Sequence, residues 1–442
     1  MRDRGRVSRL SVVDEIFLRT HRGMGTPIVL QGVWRTDEPV EPELLERVHA
    51  ALRRGPLGRR VIRVRVPGAR RAWQATVAAH PLTFAPAPVP AHALLDWANT
   101  QGEALDPELG PGWRLAAATV GDGGTAVSLT CSHVLADGRG LIHAIDAAML
   151  ESSRIPITGT SGPAAGVCTP AARADTPDED AESTAGQSDW SDARQQWAIV
   201  LGGTIRALRR GVPARPSATG ARSATTAVAI HDVVLTVPAA EWDRAAAGYG
   251  GTANSLFVHA VAKILWDSGF PEPTIAASVP VDTRDEPRVD NDLSVTEVAI
   301  TRTDTPATLR AKCRAAYERR MTGPAGLPEE ILQVVPDRLA YRLSRGAGER
   351  DILCSNLGVL PASLQRLGPH RCRGIAARAI HPGLRPETLP RTRLSGYLSR
   401  LGDTYTLALV GLDPALSPSR AELSAGARAT LSSLGLTAVE WC

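Results

Sequence analysis

The sequence predicts a mixed α/β fold, of the α+β kind, arranged as two lobes with a linker between them. Three observations carry this reading. Runs with strand-like alternation and runs with helical spacing are interleaved in both halves of the chain. Between those halves the composition shifts to Pro, Gly, Ser, Thr and acid, as in Asp175-Thr176-Pro177-Asp178-Glu179-Asp180. The length, 442 residues at 43% hydrophobic, suffices for two ordinary cores. The expected divisions are an N-terminal lobe over residues 1–155, a flexible acidic linker without structure over 156–189, and a C-terminal lobe over 190–442.

In the first lobe, Leu44, Leu45, Val48 and Leu52 fall on one helical face. Residues 61–66, Val-Ile-Arg-Val-Arg-Val, alternate as a strand does, with Pro67-Gly68 as the turn and Trp73 on the returning strand. Residues 126–131 read as a buried strand, followed by a helix that begins near Gly140 and carries the apolar run 142–150. The second lobe opens on a helix over 193–208. A strand at 233–237 and an apolar helix at 254–266 follow. Further strands are expected at 275–281, 293–300 and 352–355, helices at 308–319 and 329–343, and a late hairpin of 394–401 with 404–410 around Gly402-Asp403.

Composition excludes several function classes. The net charge of +4 gives no case for nucleic acid. The only lysines are Lys263 and Lys312, and with so much Ala and Gly the Arg bias reflects a GC-rich genome rather than a function. The six cysteines, Cys131, Cys168, Cys313, Cys354, Cys372 and Cys442, lack metal-ligand spacing and form no evident disulfide framework, so no metal is expected. Residues 1–6 are charged rather than apolar, and no apolar run is long enough to span a bilayer, so the expected location is the cytoplasm.

The most informative segment is His133-Val134-Leu135-Ala136-Asp137-Gly138, at a strand-to-helix corner. Such corners present reactive groups to a cleft. A His there can accept a proton at working pH, and a Gly suits a corner that must be tight or closely approached. Read alone, the segment equally describes a partly buried His and an Asp that caps the next helix. Cys131, inside the apolar strand, reads as core rather than nucleophile. His143, His259 and His381 carry no ligand spacing and read as structural.

Further strings run along the chain in a fixed order. They are Leu10-Ser11-Val12-Val13-Asp14-Glu15-Ile16-Phe17-Leu18, Pro111-Gly112-Trp113-Arg114-Leu115, Val279-Pro280-Val281-Asp282-Thr283-Arg284, Asn291-Asp292-Leu293-Ser294 and Cys354-Ser355-Asn356-Leu357-Gly358. With the HxxxDG segment they resemble the acyltransferase superfamily that holds wax ester synthase/diacylglycerol acyltransferases, polyketide-associated acyltransferases and nonribosomal peptide condensation domains. The resemblance implies two lobes, each built like chloramphenicol acetyltransferase, with a channel between them. Most of these relatives carry adjacent histidines, and here Ser132 stands in the place of the first; the second, credited with catalysis, is His133. A Ser there can still make a hydrogen bond. No D-F-G-W-G string is present, which weighs against the plant-type branch.

The resemblance makes His133 the catalytic base and Asp137 a structural residue paired with Arg284. It implies that Gly138 leaves room for the pantetheine arm of a donor. Ser132, Ser355 and Asn356 become channel- or substrate-lining candidates, although a turn with Gly358 describes the last two equally well. Acyl transfer from a thioester needs one general base, worth ~10²–10⁴-fold, together with positioning and oxyanion stabilisation. No covalent acyl-enzyme is required, so the absence of a G-x-S-x-G elbow is no objection. No bound cofactor is expected, the co-substrate being acyl-CoA or a phosphopantetheinyl carrier protein. Arg206, Arg209, Arg210, Arg215 and Arg222, or Arg53, Arg54, Arg59 and Arg60, could meet CoA phosphates or an acidic carrier, but clusters of this kind read first as solvated faces.

Three functions are compatible with this sequence. One is ester formation on an alcohol in lipid or natural-product biosynthesis, which the wax-ester-like opening favours. Another is amide formation between a carrier-bound acyl group and an amine. The third is an inactive binding protein on the same fold, hinted at by Ser132 and opposed by retention of His133, Asp137 and Gly138. The expected partners are a small-molecule alcohol or amine acceptor and an acyl or peptidyl carrier protein. The chain is expected to be a monomer, with peripheral membrane contact left open.

Overall fold

The computed structural model describes residues 8–153, 179–210, 230–318, 329–346 and 348–441. Helix α1 (Val12–His21) leads into β1 (Val29–Thr36) and α2 (Pro42–Arg54), followed by the hairpin β2 (Arg59–Ile62) and β3 (Ala72–Ala75). After β4 (Thr83–Phe84) and α3 (Leu94–Thr100) come β5 (Trp113–Thr119), β6 (Thr125–Ser132) and α4 (Gly138–Ser153), and then the long α5 (Glu179–Arg210). The second half runs β7 (His231–Pro238), α6 (Ala239–Gly248), α7 (Ala253–Asp267), β8 (Thr274–Asp282), β9 (Leu293–Thr301) and α8 (Pro306–Glu318). It continues through α9 (Ile331–Val334), α10 (Asp337–Ser344), β10 (Ile352–Val359), β11 (Arg366–Leu367) and β12 (His370–Ile380). The hairpin β13 (Leu394–Leu401) and β14 (Thr404–Gly411), α11 (Arg420–Ser433) and β15 (Val439–Glu440) close the chain.

Two large sheets result, confirming the mixed two-lobed class. One has six strands in the order β11-β12-β1-β6-β5-β4, and the other seven in the order β15-β7-β14-β13-β10-β8-β9. Each carries its own apolar core, one around Leu45, Leu52, Trp113, Leu129 and Leu135 and one around Trp242, Phe257, Leu265 and Leu407. Strand β6 is buried at every residue, because β1 and β5 flank it and both its faces are covered. The face bearing Ser128 and Thr130 is polar yet satisfied. Gln31 Nε2 donates to both hydroxyls and to the Ala98 carbonyl, and its Oε1 accepts from Arg378, which pairs with buried Asp232 of β7. This buried chain of hydrogen bonds ties the first sheet to the second.

The structure departs from the sequence expectations in several places. Strands β11 and β12 come from the second half of the chain yet lie in the first sheet, with β12 antiparallel to β1 from Val29↔Ile380 to Thr36↔Cys372. The division at residue 190 therefore does not separate the sheets. The expected linker over 156–189 lies largely outside the described residues, but its last stretch belongs to α5. Strand β2 stops at Ile62 rather than Val66, because its pairing with β3 covers only four residues. The helix expected over 329–343 is broken into α9 and α10 by Pro336, which caps the second piece instead of continuing the first. Among the described residues no helix is long and apolar enough to cross a membrane.

Candidate active site

His133 follows the last residue of β6, and α4 starts at Gly138, so the motif is the corner between them. Asp137 serves both roles considered for it. Its Oδ1 accepts from the Gly140 backbone N–H at 2.8 Å, capping α4. The same oxygen accepts from Arg284 Nη2 at 2.6 Å, and Oδ2 accepts from the Asp292 N–H at 3.1 Å. Arg284 also donates to Asp282, at 2.7 Å, and to the carbonyls of Arg288 and Asp290. The loop between β8 and β9 is thereby wrapped around the motif corner. A Cβ added to Gly140 would lie 2.3 Å from the Val289 carbonyl oxygen, a backbone atom that cannot swing away. Gly140→Ala is accordingly expected to push the loop off α4 and cost roughly 1–3 kcal/mol. A thermal unfolding midpoint equal to that of the unmodified protein would contradict this.

The loop also delivers Asn291, only 7% exposed, to His133. Its Nδ2 donates to Asp14 Oδ1 at 2.7 Å and to the carbonyls of His133 and Val134 at 2.8 and 3.1 Å. With the amide nitrogen fixed by three acceptors, the oxygen of Asn291 must face His133 Nδ1, 3.1 Å away. That oxygen only accepts, so Nδ1 carries the ring proton and Nε2 is the basic nitrogen. Phe17 stacks on the imidazole at 3.6 Å between centroids and 15° between planes. Burial lowers the His133 pKa below the ordinary imidazole value, against the opposing pull of Asp137 and Asn291, so the ring is neutral at pH 7. Burial also pushes the Asp14 carboxyl up to about 6, opposed by its bonds from Asn291 and Ser11. Asn291→Ala removes the group that selects the tautomer and is expected to reduce turnover roughly 10- to 100-fold. Steady-state kinetics of the variant against the unmodified protein would check it.

The other candidates divide. Ser132 is fully buried, and its Oγ lies 2.7 Å from His21 Nε2. Gly138 does not face open space. A Cβ there would sit 2.6 Å from Leu357 Cδ2, so a side chain from β10 fills the room expected for a pantetheine arm. Leu357 is held there by Arg139, whose Nη1 donates to its carbonyl at 2.7 Å. Asn356 takes the turn role: its Oδ1 accepts from the Gly358 N–H at 2.9 Å, and its Nδ2 donates to Asn254. Ser355 lies beside it on β10, half-buried. Arg59 is engaged at the motif itself, donating to the Leu135 carbonyl at 2.6 Å, with its guanidinium 4.0 Å over Trp73. Arg53, Arg54 and Arg60 bond to Val77, Glu151 and Gln74. Arg215 and Arg222 lie outside the described residues, as do the side chains of Arg206, Arg209 and Arg210. Cys131 is buried, and that pushes its thiol up to about 12, as suits core packing. Among the described residues no cluster of His, Cys, Asp and Glu could hold a metal ion.

Asn291, Asp14, Phe17 and His21 were not singled out from the sequence. The first three lie inside quoted strings, and their shared destination around one imidazole is the signal that spacing alone does not give.

No protein-family model matches the chain, and no curated protein matches it. Solved structures do. The condensation domain of the monacolin K polyketide synthase MokA superposes with a TM-score of 0.57 at 12% identity, over 97% of this chain and 96% of that one. The starter condensation domain of rhizomide synthetase RzmA gives 0.56 at 14%, over 97% and 93%. The nonribosomal peptide synthetase FmoA3 gives 0.56 at 18%, covering 98% of this chain but 45% of the synthetase, so the chain spans under half that protein's length. The fold is therefore that of the condensation domains. The two-lobed, chloramphenicol acetyltransferase-like architecture implied by the HxxxDG segment is the one this chain adopts.

Proposed function

We propose that the protein is a condensation-type acyltransferase that moves an acyl group from a thioester to a nucleophilic acceptor, with His133 as general base. The observation that carries this is a neutral imidazole whose proton is held on Nδ1 by Asn291, leaving Nε2 basic at the corner between β6 and α4. In the proposed step Nε2 takes the proton from an acceptor O–H or N–H as that atom bonds to the thioester carbonyl carbon. The tetrahedral adduct then collapses, the C–S bond breaks, and the imidazolium returns the proton to the departing sulfur. Protons balance, and no acyl-enzyme is formed. Phe17, Asn291 and the Asp137–Arg284 pair hold the ring; none of them exchanges a proton in the cycle.

The donor and the acceptor are read together. A double mutant of the RzmA starter domain has been solved in complex with C8-CoA and Leu-SNAC, which supports a CoA or carrier-bound acyl donor for this chain as well. The condensation-domain fold favours an amine acceptor, and amide formation now stands at least level with the ester formation that the opening string favours. Acyl-CoAs and acyl carrier proteins, each with pooled alcohols and pooled amines, assayed for free thiol, separate these readings. Acceptor-dependent release identifies the bond formed, and its absence with every donor would sink the proposal.

A further inference from the structure

Ser132 interrupts the paired histidines, yet an imidazole reaches it from another element. His21, the last residue of α1, has Nδ1 3.1 Å from the Leu105 carbonyl oxygen and Nε2 2.7 Å from Ser132 Oγ. The carbonyl only accepts, so Nδ1 holds the proton. Burial lowers the pKa of His21, leaving the ring neutral and Nε2 an acceptor. Ser132 thus donates its hydroxyl proton to His21, and its oxygen accepts from the Val134 N–H at 3.2 Å. Because Ser132 is wholly buried, this pair is not a nucleophile–base dyad. Its polarity runs in one direction, from the Val134 backbone through Ser132 and His21 to Leu105.

A second observation points the same way. Asp14, Phe17 and His21 lie at i, i+3 and i+7, on one face of α1. Asp14 holds Asn291, Phe17 stacks on His133, and His21 holds Ser132. The helix itself is anchored elsewhere: Arg19 bonds to Asp337 and to the Leu332 carbonyl, and Arg22 to Glu108. One rigid face therefore contacts the base, its tautomer-selecting amide and the residue before it.

We propose that His21 is a positioning residue for His133, acting through Ser132 to fix the 132–134 turn that aims the catalytic ring. His21 also walls a cavity of about 220 Å³ together with Gly25, Leu105 and Pro382, so an occupant of that cavity meets the far end of the same chain of hydrogen bonds. The kinetic part of the test rests on the acyl-transfer reading; the spectroscopic part does not.

The test uses the full chain labelled with ¹⁵N-histidine and three variants: Ser132→Ala, His21→Phe and His21→Gln. Nitrogen shifts at neutral pH report the tautomer of each ring, and the thiol-release assay gives kcat and KM. The expected result is a single Nδ1–H tautomer for His133 in the unmodified protein. Ser132→Ala and His21→Phe mix its tautomers and lower kcat about tenfold with KM nearly unchanged, whereas His21→Gln, whose amide oxygen can accept from Ser132, restores both. An unchanged His133 spectrum in Ser132→Ala, or a His21→Gln protein as disturbed as His21→Phe, overturns the proposal. Should His21→Phe fail to fold, Ser132→Ala decides. If no donor is turned over, the acyl-transfer reading falls alone, and the spectra still decide what His21 does.

Discussion

His133→Ala is expected to lower acceptor-dependent thiol release by about 10²–10⁴-fold, the range that loss of one general base produces. Far-ultraviolet circular dichroism should be unchanged, because the ring is half-buried at a corner and its chief packing partner is the face of Phe17. The pH dependence carries the sharper content. A base works only when unprotonated, and burial lowers the His133 pKa below the ordinary 6.5. As pH falls through that value the rate should therefore hold, and decline only at more acid pH. Asp14, pushed up to about 6, titrates nearby and could imitate this limb through Asn291. Asp14→Asn separates the two, because the acid limb should survive it. An acid limb centred above the ordinary imidazole value, or one abolished in Asp14→Asn, would remove His133 from the role.

The parts of this site legible in the sequence are those whose information is local. The His133–Gly138 spacing places an imidazole at a strand end and an acid where the next helix needs a cap, and the structure shows that corner. Arg284 reached Asp137 as the resemblance implied, since a buried carboxylate needs a cation and the V-P-V-x-x-R string supplies one. What spacing cannot give is convergence across the fold. The Asn291 and Phe17 side chains meet one ring from segments 274 residues apart in the chain. The resemblance implies room for a ligand beside Gly138, but β10 brings Leu357 into that space. Strand β12 shows the same limit at the level of the fold. Its early residues alternate buried and exposed, from His370 to Gly374, so its strand character is local, while its pairing with β1 is set by a partner more than 300 residues away.

Arg284→Met should be strongly destabilising. The Arg284 and Asp137 side chains are 7% and 4% exposed, so removing the guanidinium strands a carboxylate in a nearly dry site. Two backbone donors, Gly140 and Asp292, remain to it, but neither carries charge. Breaking a buried pair in this way costs roughly 3–5 kcal/mol. The loss should appear as a lowered urea midpoint, and the double variant Asp137→Asn with Arg284→Met should recover part of it, because no unpaired charge is then buried. Activity should follow a different course. Arg284 also gathers the Arg288 and Asp290 carbonyls and Asp282, and this is the loop that presents Asn291 to His133. The double variant leaves the loop slack, so its stability should rise above that of the single variant while kcat stays low. Recovery of both together would mean that Arg284 serves only to neutralise Asp137; recovery of stability alone would place the aim of the base in the loop that Arg284 gathers.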